Sequence, residues 1–251
     1  MPANISKDKI WFLGRGFEEY LLMFDLHLEN LKNCRILDCN AGASSFTLQM
    51  HQRGYDATAV DLMYDFDPNE IDQITAHDFK TLMGAHHGLE DKVEWGFFKN
   101  QEEMMDYRIK CYQKFAKDYQ KSWKERYIKA ELPYLNFPDN SFHLVLSSHL
   151  LFLYDDRLDY QFHADSIKEM LRVSIQEIRI YPLISLNQHG KRSKYLDHII
   201  EEFGGDYLLD IQKVNYRFRK GADEMLRIMK KSLNGTTCSL LTYDAVEVEG
   251  K

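Results

Sequence analysis

The chain has 251 residues, of which 44% are hydrophobic and 28% are charged, and its formal net charge is −7 at pH 7. This composition is that of an ordinary globular protein and excludes disordered, collagen-like and disulfide-scaffold classes, while the acidic balance argues against general attraction to nucleic acid. The longest apolar run, at 150–154, is too short to cross a bilayer and the N-terminus lacks a signal peptide's hydrophobic region, so we expect a cytoplasmic protein without membrane contact.

The apolar pattern predicts alternating strands and helices over most of the chain. Apolar residues three and four positions apart predict an amphipathic helix over 17–31. Strands are predicted at 35–39, 57–60, 127–130, 142–148 and 177–181, with helical stretches between most of them. A helix near 193–203 precedes two segments, 208–218 and 224–230, which a short turn at 220–221 should pair antiparallel. This order predicts a parallel sheet with right-handed crossovers and a C-terminal antiparallel hairpin.

We expect one domain over 1–233 and a tail or edge strand over 234–251. Between the second and third predicted strands, the segment at about 93–126 exceeds what one crossover helix needs. It carries aromatic residues at helical spacing, and 99–129 holds nine basic and five acidic residues. The segment is either a helix that packs its aromatic face on the body with a solvated basic back, or a lid over a substrate.

Two segments carry the functional signal. Residues 35–47, RILDCNAGASSFT, read as a buried strand ending in an acid, a turn of small residues and the start of a helix. That arrangement lets a backbone approach a ligand at the carboxyl edge of a sheet. Residues 135–148, LNFPDNSFHLVLSS, read as a turn that leads into another buried strand. Both segments resemble the class I S-adenosylmethionine-dependent methyltransferases, and the resemblance extends over about 15–230.

The resemblance implies an α/β fold of the three-layer, Rossmann-like kind. Its sheet would be mostly parallel and seven-stranded, with a C-terminal antiparallel hairpin and a helical insertion between strands 2 and 3. The implied cofactor is S-adenosyl-L-methionine, with S-adenosyl-L-homocysteine as product. This cofactor carries an amino acid, a ribose diol and an adenine, so its pocket needs an acid near the ammonium, an acid for the diol and a slot for the ring.

The sequence matches these needs at the end of the first strand. Asp38 stands where the family usually has an acid. The family's glycine-rich turn maps onto Asn40, Gly42 and Ser44, and only Gly42 is still a glycine. Asparagine tolerates left-handed backbone angles and serine is small, so we expect the turn to form.

Further cofactor residues follow from the resemblance. Asp61 ends the second strand, where an acid of the family binds the ribose hydroxyls, although a helix cap would explain it as well. Glu131 is expected beside the adenine amino group, with Leu132 offering backbone and an apolar surface. Ser147, at the end of the fourth strand, is also assigned to the cofactor site.

Arg15 and Tyr20 lie just before and within the first predicted helix. In related methyltransferases this helix closes over the methionine end of the cofactor, and an arginine there can bind the carboxylate in a forked geometry. An exposed surface cation is an equally good interpretation of Arg15.

Few residues in the sequence suggest catalysis. The Asn/Asp-Pro-Pro-aromatic motif of amide-modifying methyltransferases is absent at 146–149, which argues against methylation of adenine or glutamine amides. His149 is the candidate general base, although a histidine satisfied at a helix start explains it too. Tyr154 and His163 are candidates for the acceptor pocket. The histidines near 77–87 lack ligand spacing, so no metal is expected.

Three functions therefore stay open. The sequence favours methyl transfer to a small-molecule acceptor, because the insertion looks like a cap that encloses one. An RNA methyltransferase would use the basic insertion for phosphate contacts, a partner that the overall acidity disfavours. A non-catalytic binding protein with the same fold would explain the eroded glycine turn. The identity of the acceptor is not encoded in any recognisable motif.

Overall fold

The protein is described by a computed structural model over residues 10–84 and 92–231. A seven-stranded sheet with the order β3-β2-β1-β4-β5-β7-β6 forms its centre. The strands are β1 (Arg35–Cys39), β2 (Asp56–Asp61), β3 (Tyr127–Lys129), β4 (Phe142–Ser148), β5 (Ser174–Tyr181), β6 (Tyr207–Lys213) and β7 (Glu224–Lys230). The first five strands are parallel to one another, and β7 lies between β5 and β6 and is antiparallel to both.

Six helices accompany the strands within the described residues. They are α1 (Phe17–Met23), α2 (Phe46–His51), α3 (Pro68–Gly84), α4 (Gln101–Ser122), α5 (Tyr160–Val173) and α6 (Leu196–Gly204). The middle strands are buried along nearly their whole length, as expected for parallel strands covered on both faces.

This architecture confirms the predicted fold, including the C-terminal hairpin and the helical insertion after β2. The strand order reverses between β1 and β4, because β2 and β3 lie on one side of β1 while β4 and β5 lie on the other. In open α/β sheets a crevice forms outside the carboxyl ends of the strands at such a reversal. The fold therefore places the residues that follow β1 and β4 at a ligand-binding position.

The helix predicted over 17–31 is shorter in the structure. It ends after Met23, Asp25 has a left-handed backbone (φ 46°), and a separate 3₁₀ turn follows at Leu28–Leu31. Arg179 on β5, which is buried, donates hydrogen bonds to the carbonyl oxygens of Phe24 (2.5 Å) and Asp25 (3.1 Å). A tertiary contact thus stabilises the helix end, which apolar spacing could not reveal.

The predicted strand 208–218 also ends early. Strand β6 stops at Lys213, and the connection from 214 to 223 places Phe218 and Arg219 in the wall of the cavity described below. There, Arg219 forms a β-bridge with Val93 at the start of the insertion. A hairpin that sequence reasoning treated as a plain connection therefore contributes to the site.

The insertion is helical, as predicted, and α4 packs on the body. Its aromatic side chains Phe115 and Tyr119 are fully buried against Tyr64 and Tyr127, while the predicted basic face is exposed. Only one end of the helix, through Met104, Arg108 and Tyr112, reaches the cavity described below. The predicted tail 234–251 lies outside the described residues.

Candidate functional site

A cavity of about 460 Å³ opens at the carboxyl ends of β1, β2 and β4. Its walls come from the segment before α1, the turn after β1, the middle of α3, the first half of α4, the loop after β4 and the connection between β6 and β7. Seven of the residues assigned from the sequence line it: Arg15, Tyr20, Asn40, Gly42, Asp61, His149 and Tyr154. The fold therefore brings together side chains that are up to 139 positions apart in the chain.

The turn after β1 takes the backbone conformation that its residues predict. Asn40 (φ 51°) and Gly42 (φ 60°) are both left-handed. A Cβ on Gly42 would lie 2.4 Å from the carbonyl oxygen of Leu13, so the segment before α1 needs a glycine there to pack against the turn. This close approach is a physical reason for a glycine at position 42.

Asn40 also joins the two central strands. Its amide nitrogen donates to the carbonyl oxygen of Ser148 (2.7 Å), and its amide oxygen accepts from the Ser147 hydroxyl (2.9 Å). Ser147 itself is fully buried and does not line the cavity, whereas Ser148 does. Asn40 thus holds the ends of β1 and β4 in fixed relation.

Asp38 is fully buried behind the cavity wall. Its Oδ1 accepts a hydrogen bond from the hydroxyl of Tyr20 (3.1 Å), and its Oδ2 has no partner among the described residues. Burial raises the pKa of this carboxyl well above its usual range, and the charge of Asp61 adds to the effect. An unsatisfied buried oxygen is costly, which indicates that a ligand or water donates to it.

Asp61 lines the cavity at the end of β2. Its Oδ2 accepts from the Gly42 backbone N–H and its Oδ1 from the Met63 N–H, both at 3.0 Å. Burial raises the pKa of this carboxyl to about 6, against the lowering effect of the two backbone donors. The residue is a cap of the 3₁₀ turn Leu62–Asp65, yet each carboxylate oxygen has a second lone pair that can accept from a ligand.

Two arginines meet near α1. Arg108 from α4 forms a two-armed ion pair with the buried Glu19, at 2.5 and 2.6 Å, and the Tyr216 hydroxyl also donates to Glu19. The Nε atom of Arg15 lies 4.0 Å from Glu19 and has no hydrogen-bond partner among the described residues. Burial lowers the pKa of Arg15, and the charge of Arg108 lowers it further. Arg15 is therefore a largely desolvated cation whose neighbouring acid, Glu19, already pairs with Arg108.

His149 follows β4 with a left-handed backbone (φ 59°). Its Nδ1 lies 2.7 Å from the Ser148 hydroxyl, and its ring packs against Tyr181. Burial holds the pKa of the imidazole well below its usual range, and the charges of Arg15, Arg108 and Arg219 lower it further. The ring is thus neutral at pH 7, the state in which one nitrogen can accept a proton.

Five residues assigned from the sequence do not line the cavity: Asp38 and Ser147, described above, and Glu131, Leu132 and His163. Glu131 is exposed in a turn, although its charge contributes to the raised pKa of Asp61, and Leu132 is buried in the main core. His163 is buried on α5, where its Nε2 accepts from the Phe152 N–H (2.9 Å) and its Nδ1 meets the Asp159 carbonyl oxygen (2.7 Å). The wall beyond Asp61 comes instead from α3 and α4, through Thr75, Phe79 and Tyr112.

Sequence reasoning missed several cations of the cavity. Arg108 and Arg157 come from helices and loops without a motif, and Arg219 belongs to the connection between β6 and β7. The cluster of basic residues at 217–220 was a signal for Arg219, because a turn seldom needs three cations in four positions. Among the described residues there is no group of three or more side chains suited to hold a metal ion, and no helix long and apolar enough to span a membrane.

No family model matches the chain. It is 38% identical over 225 residues to the uncharacterized protein MJ0045 of Methanocaldococcus jannaschii, an alignment that covers 89% of this chain and 97% of that protein.

Solved structures with a similar fold are distant. One is magnesium protoporphyrin IX methyltransferase of Synechocystis PCC 6803 (9% identity, 78% of this chain and 70% of that chain, TM-score 0.40). A second is the 1,6-didemethyltoxoflavin-N1-methyltransferase of Burkholderia thailandensis (15% identity, 78% of this chain and 71% of that chain, TM-score 0.41). A third is the tRNA (m1A58) methyltransferase TrmI of Aquifex aeolicus (7% identity, 85% of this chain and 68% of that chain, TM-score 0.39). At these scores none of them carries an argument about the acceptor of this chain.

Proposed function

We propose that this chain, which belongs to the same family as the uncharacterized protein MJ0045 of Methanocaldococcus jannaschii, is an S-adenosylmethionine-dependent methyltransferase that acts on a small-molecule acceptor. The observation that carries the proposal is the cavity at the reversal between β1 and β4, because this sheet order brings Asn40, Gly42 and Asp61 around one space. Its volume of about 460 Å³ is within the range typical of small-molecule sites.

The polar groups around the cavity fit the cofactor. The unpartnered Oδ2 of Asp38, behind the cavity wall, suits a donor at the methionine end that is reached through water. The lone pairs left on Asp61 suit the two ribose hydroxyls, and the unpaired Nε of Arg15 suits the methionine carboxylate. When bound, the cofactor would supply an activated methyl group on a sulfonium.

The chain's own part in the reaction is mainly alignment and exclusion of water. Methyl transfer is an in-line displacement in which charge disappears, so little covalent participation is needed. Arg15 and Asp61 would fix the two ends of the cofactor, and Tyr20 with the Trp11–Leu13 segment would cover it from the side of α1. His149 would accept a proton from the acceptor, which a neutral imidazole can do.

The enclosure favours a small acceptor over RNA. The segment before α1, the α4 end and the 149–154 loop all contribute to the wall, so the reacting space lies inside the fold. An RNA reaching this space would have to insert a flipped base, whereas a small molecule only has to enter.

Calorimetry tests the proposal. S-adenosylmethionine and S-adenosylhomocysteine should bind at micromolar to millimolar concentration, and NAD should not. Binding of NAD with no binding of either sulfur compound would refute the methyltransferase assignment. His149→Gln should leave the affinity for S-adenosylhomocysteine unchanged and, once an acceptor is known, lower kcat by about a hundredfold or more.

A further inference from the structure

The charges that line the cavity are strongly unbalanced. Among the described residues its walls hold five cationic side chains and one carboxylate, that of Asp61. The cations are Arg15, Lys92, Arg108, Arg157 and Arg219. The rest of the wall is largely apolar, with Trp11, Leu150 and Phe218 among its members. A protein with a net charge of −7 has thus concentrated positive charge around one enclosed space.

Not all of these cations are available to a ligand. Arg108 is neutralised by Glu19, and Arg157 pairs with Asp156 (3.6 Å) while its guanidinium stacks over the Tyr154 ring (4.8 Å). Arg15 is assigned above to the cofactor carboxylate. Two cations, Lys92 and Arg219, are left over.

Arg219 is the more informative of the two. Burial lowers its pKa, and Arg15 lowers it further, while Tyr154 and Tyr181 are the neighbours that favour its charge. Among the described residues no carboxylate pairs with its guanidinium, and no carbonyl oxygen accepts from it. A partly buried arginine without an anionic partner is costly, which indicates that an anion completes the site.

The position of Arg219 is fixed by the backbone. A smaller recess of about 90 Å³ adjoins the cavity, and both are lined by Lys92 and Arg219. Lys220 and His189 add to the recess, and no described acid does. The two loops that form it press together, because a Cβ on Gly221 would lie 2.3 Å from the carbonyl oxygen of Gly190. The recess is therefore a built, basic pocket beside the cavity.

We propose that the methyl acceptor is a small molecule with an apolar body and an anionic group, a carboxylate or a phosphate, and that Arg219 binds this anion together with Lys92 and Lys220. The apolar walls would hold the body in the cavity while the anion occupies the basic recess. A forked guanidinium suits both kinds of anion. The bound anion would also offset part of the positive charge that makes the His149 imidazole hard to protonate. The proposal names the substrate class of the proposed function and rests on it.

The test uses three small probes with the same ring: benzoate, phenyl phosphate and the neutral benzamide. Each is titrated by calorimetry into the full chain, both alone and saturated with S-adenosylhomocysteine. We expect at least one of the two anions to bind about tenfold or more tightly than benzamide, since charge-assisted hydrogen bonds to a guanidinium are gained. The tighter of the two identifies the anion as carboxylate or phosphate.

Variants assign the preference to a residue. Arg219→Met should remove the preference for the anions over benzamide, and Arg219→Lys should keep part of this preference. Neither variant should alter the affinity for S-adenosylhomocysteine. Arg217→Met is the matched control, because this nearby arginine lies outside the cavity and donates to the Val214 carbonyl oxygen (2.7 Å).

Three outcomes would overturn the proposal. The first is equal affinity for benzamide and both anions, and the second is no binding of any probe. The third is an equal loss of the anion preference in Arg217→Met and in Arg219→Met. Binding of S-adenosylhomocysteine in the same titrations shows separately whether the proposed function stands.

Discussion

The backbone N–H of Gly42 donates a hydrogen bond to Oδ2 of Asp61 at 3.0 Å, so the turn after β1 and the end of β2 are tied together by a carboxylate that also faces the cavity. Asp61 is at once a structural cap and a candidate ribose ligand. These two roles can be separated by experiment because they affect different quantities.

Asp61→Ala should weaken binding of S-adenosylhomocysteine by about 2–3 kcal/mol, through loss of a charge-assisted partner, and should lower the free energy of unfolding by about 1 kcal/mol through loss of the cap. Calorimetry and denaturant titration measure the two effects. Asp65→Ala, which removes an exposed carboxylate of the same 3₁₀ turn, is the control and should change neither. Lost stability with unchanged affinity would leave Asp61 as a cap alone.

The raised pKa of Asp61 predicts a pH dependence of binding. Ribose hydroxyls donate best to the ionised carboxylate, whose pKa in the free protein is about 6. Affinity for S-adenosylhomocysteine should therefore be constant above this pH and fall by about tenfold for each unit below it. In Asp61→Asn the fall between pH 7 and 5 should disappear. A parent protein whose affinity does not change over this range would contradict the assignment.

Arg15→Ala should selectively weaken ligands that carry the methionine carboxylate. S-adenosylhomocysteine has this group and methylthioadenosine lacks it, so the variant should lose about 1.5–3 kcal/mol of affinity for the first only. Arg53→Ala is the matched control, because that arginine stacks over Phe17 (4.1 Å) without lining the cavity. An equal loss for both ligands would remove Arg15 from the carboxylate site.

The ion pair between Arg108 and Glu19 connects the insertion to α1 inside the fold. Arg108→Met should lower the free energy of unfolding by about 3–5 kcal/mol, because Glu19 would be left buried without its main partner. The double variant with Glu19→Gln should recover a large part of this loss. Urea unfolding of the single and double variants provides the measurement. A double variant no more stable than Arg108→Met would show that packing, and not charge, dominates at this position.

The row of lysines along α4 and just after it provides a test between a small acceptor and RNA. The predicted basic face is exposed: Lys110, Lys114, Lys117, Lys121 and Lys124 all reach solvent. For a small acceptor, replacing several of them by glutamine should change stability and cofactor binding little, since exposed charges contribute weakly. If RNA is the partner, its affinity should drop and the log-log salt slope should flatten by nearly one unit per lost contact. Tight, salt-sensitive RNA binding abolished by these changes would refute the small-molecule proposal.

The sequence by itself determined the sheet and the turn after β1. Local signals were sufficient there, because β1 and β4 are continuous apolar runs and because Asn40 and Gly42 are residue types that adopt left-handed angles. The boundaries of β1 and β4 agree with the prediction at both ends. The ends of α1 and β6 do not, since Arg179 and the path of the 214–223 connection act on them from distant parts of the chain.

Only the tertiary structure decided which side chains share the cavity. Asp61 and His149 could be placed there in advance, because each ends a parallel strand and such ends meet at one edge of the sheet. Arg108 and Arg219 could not, since their positions depend on how α4 packs and how two glycine-bearing loops press together. A cation is an ordinary surface group in a sequence. It becomes part of a site only when folding removes water and nearby acids from around it, which one-dimensional spacing does not encode.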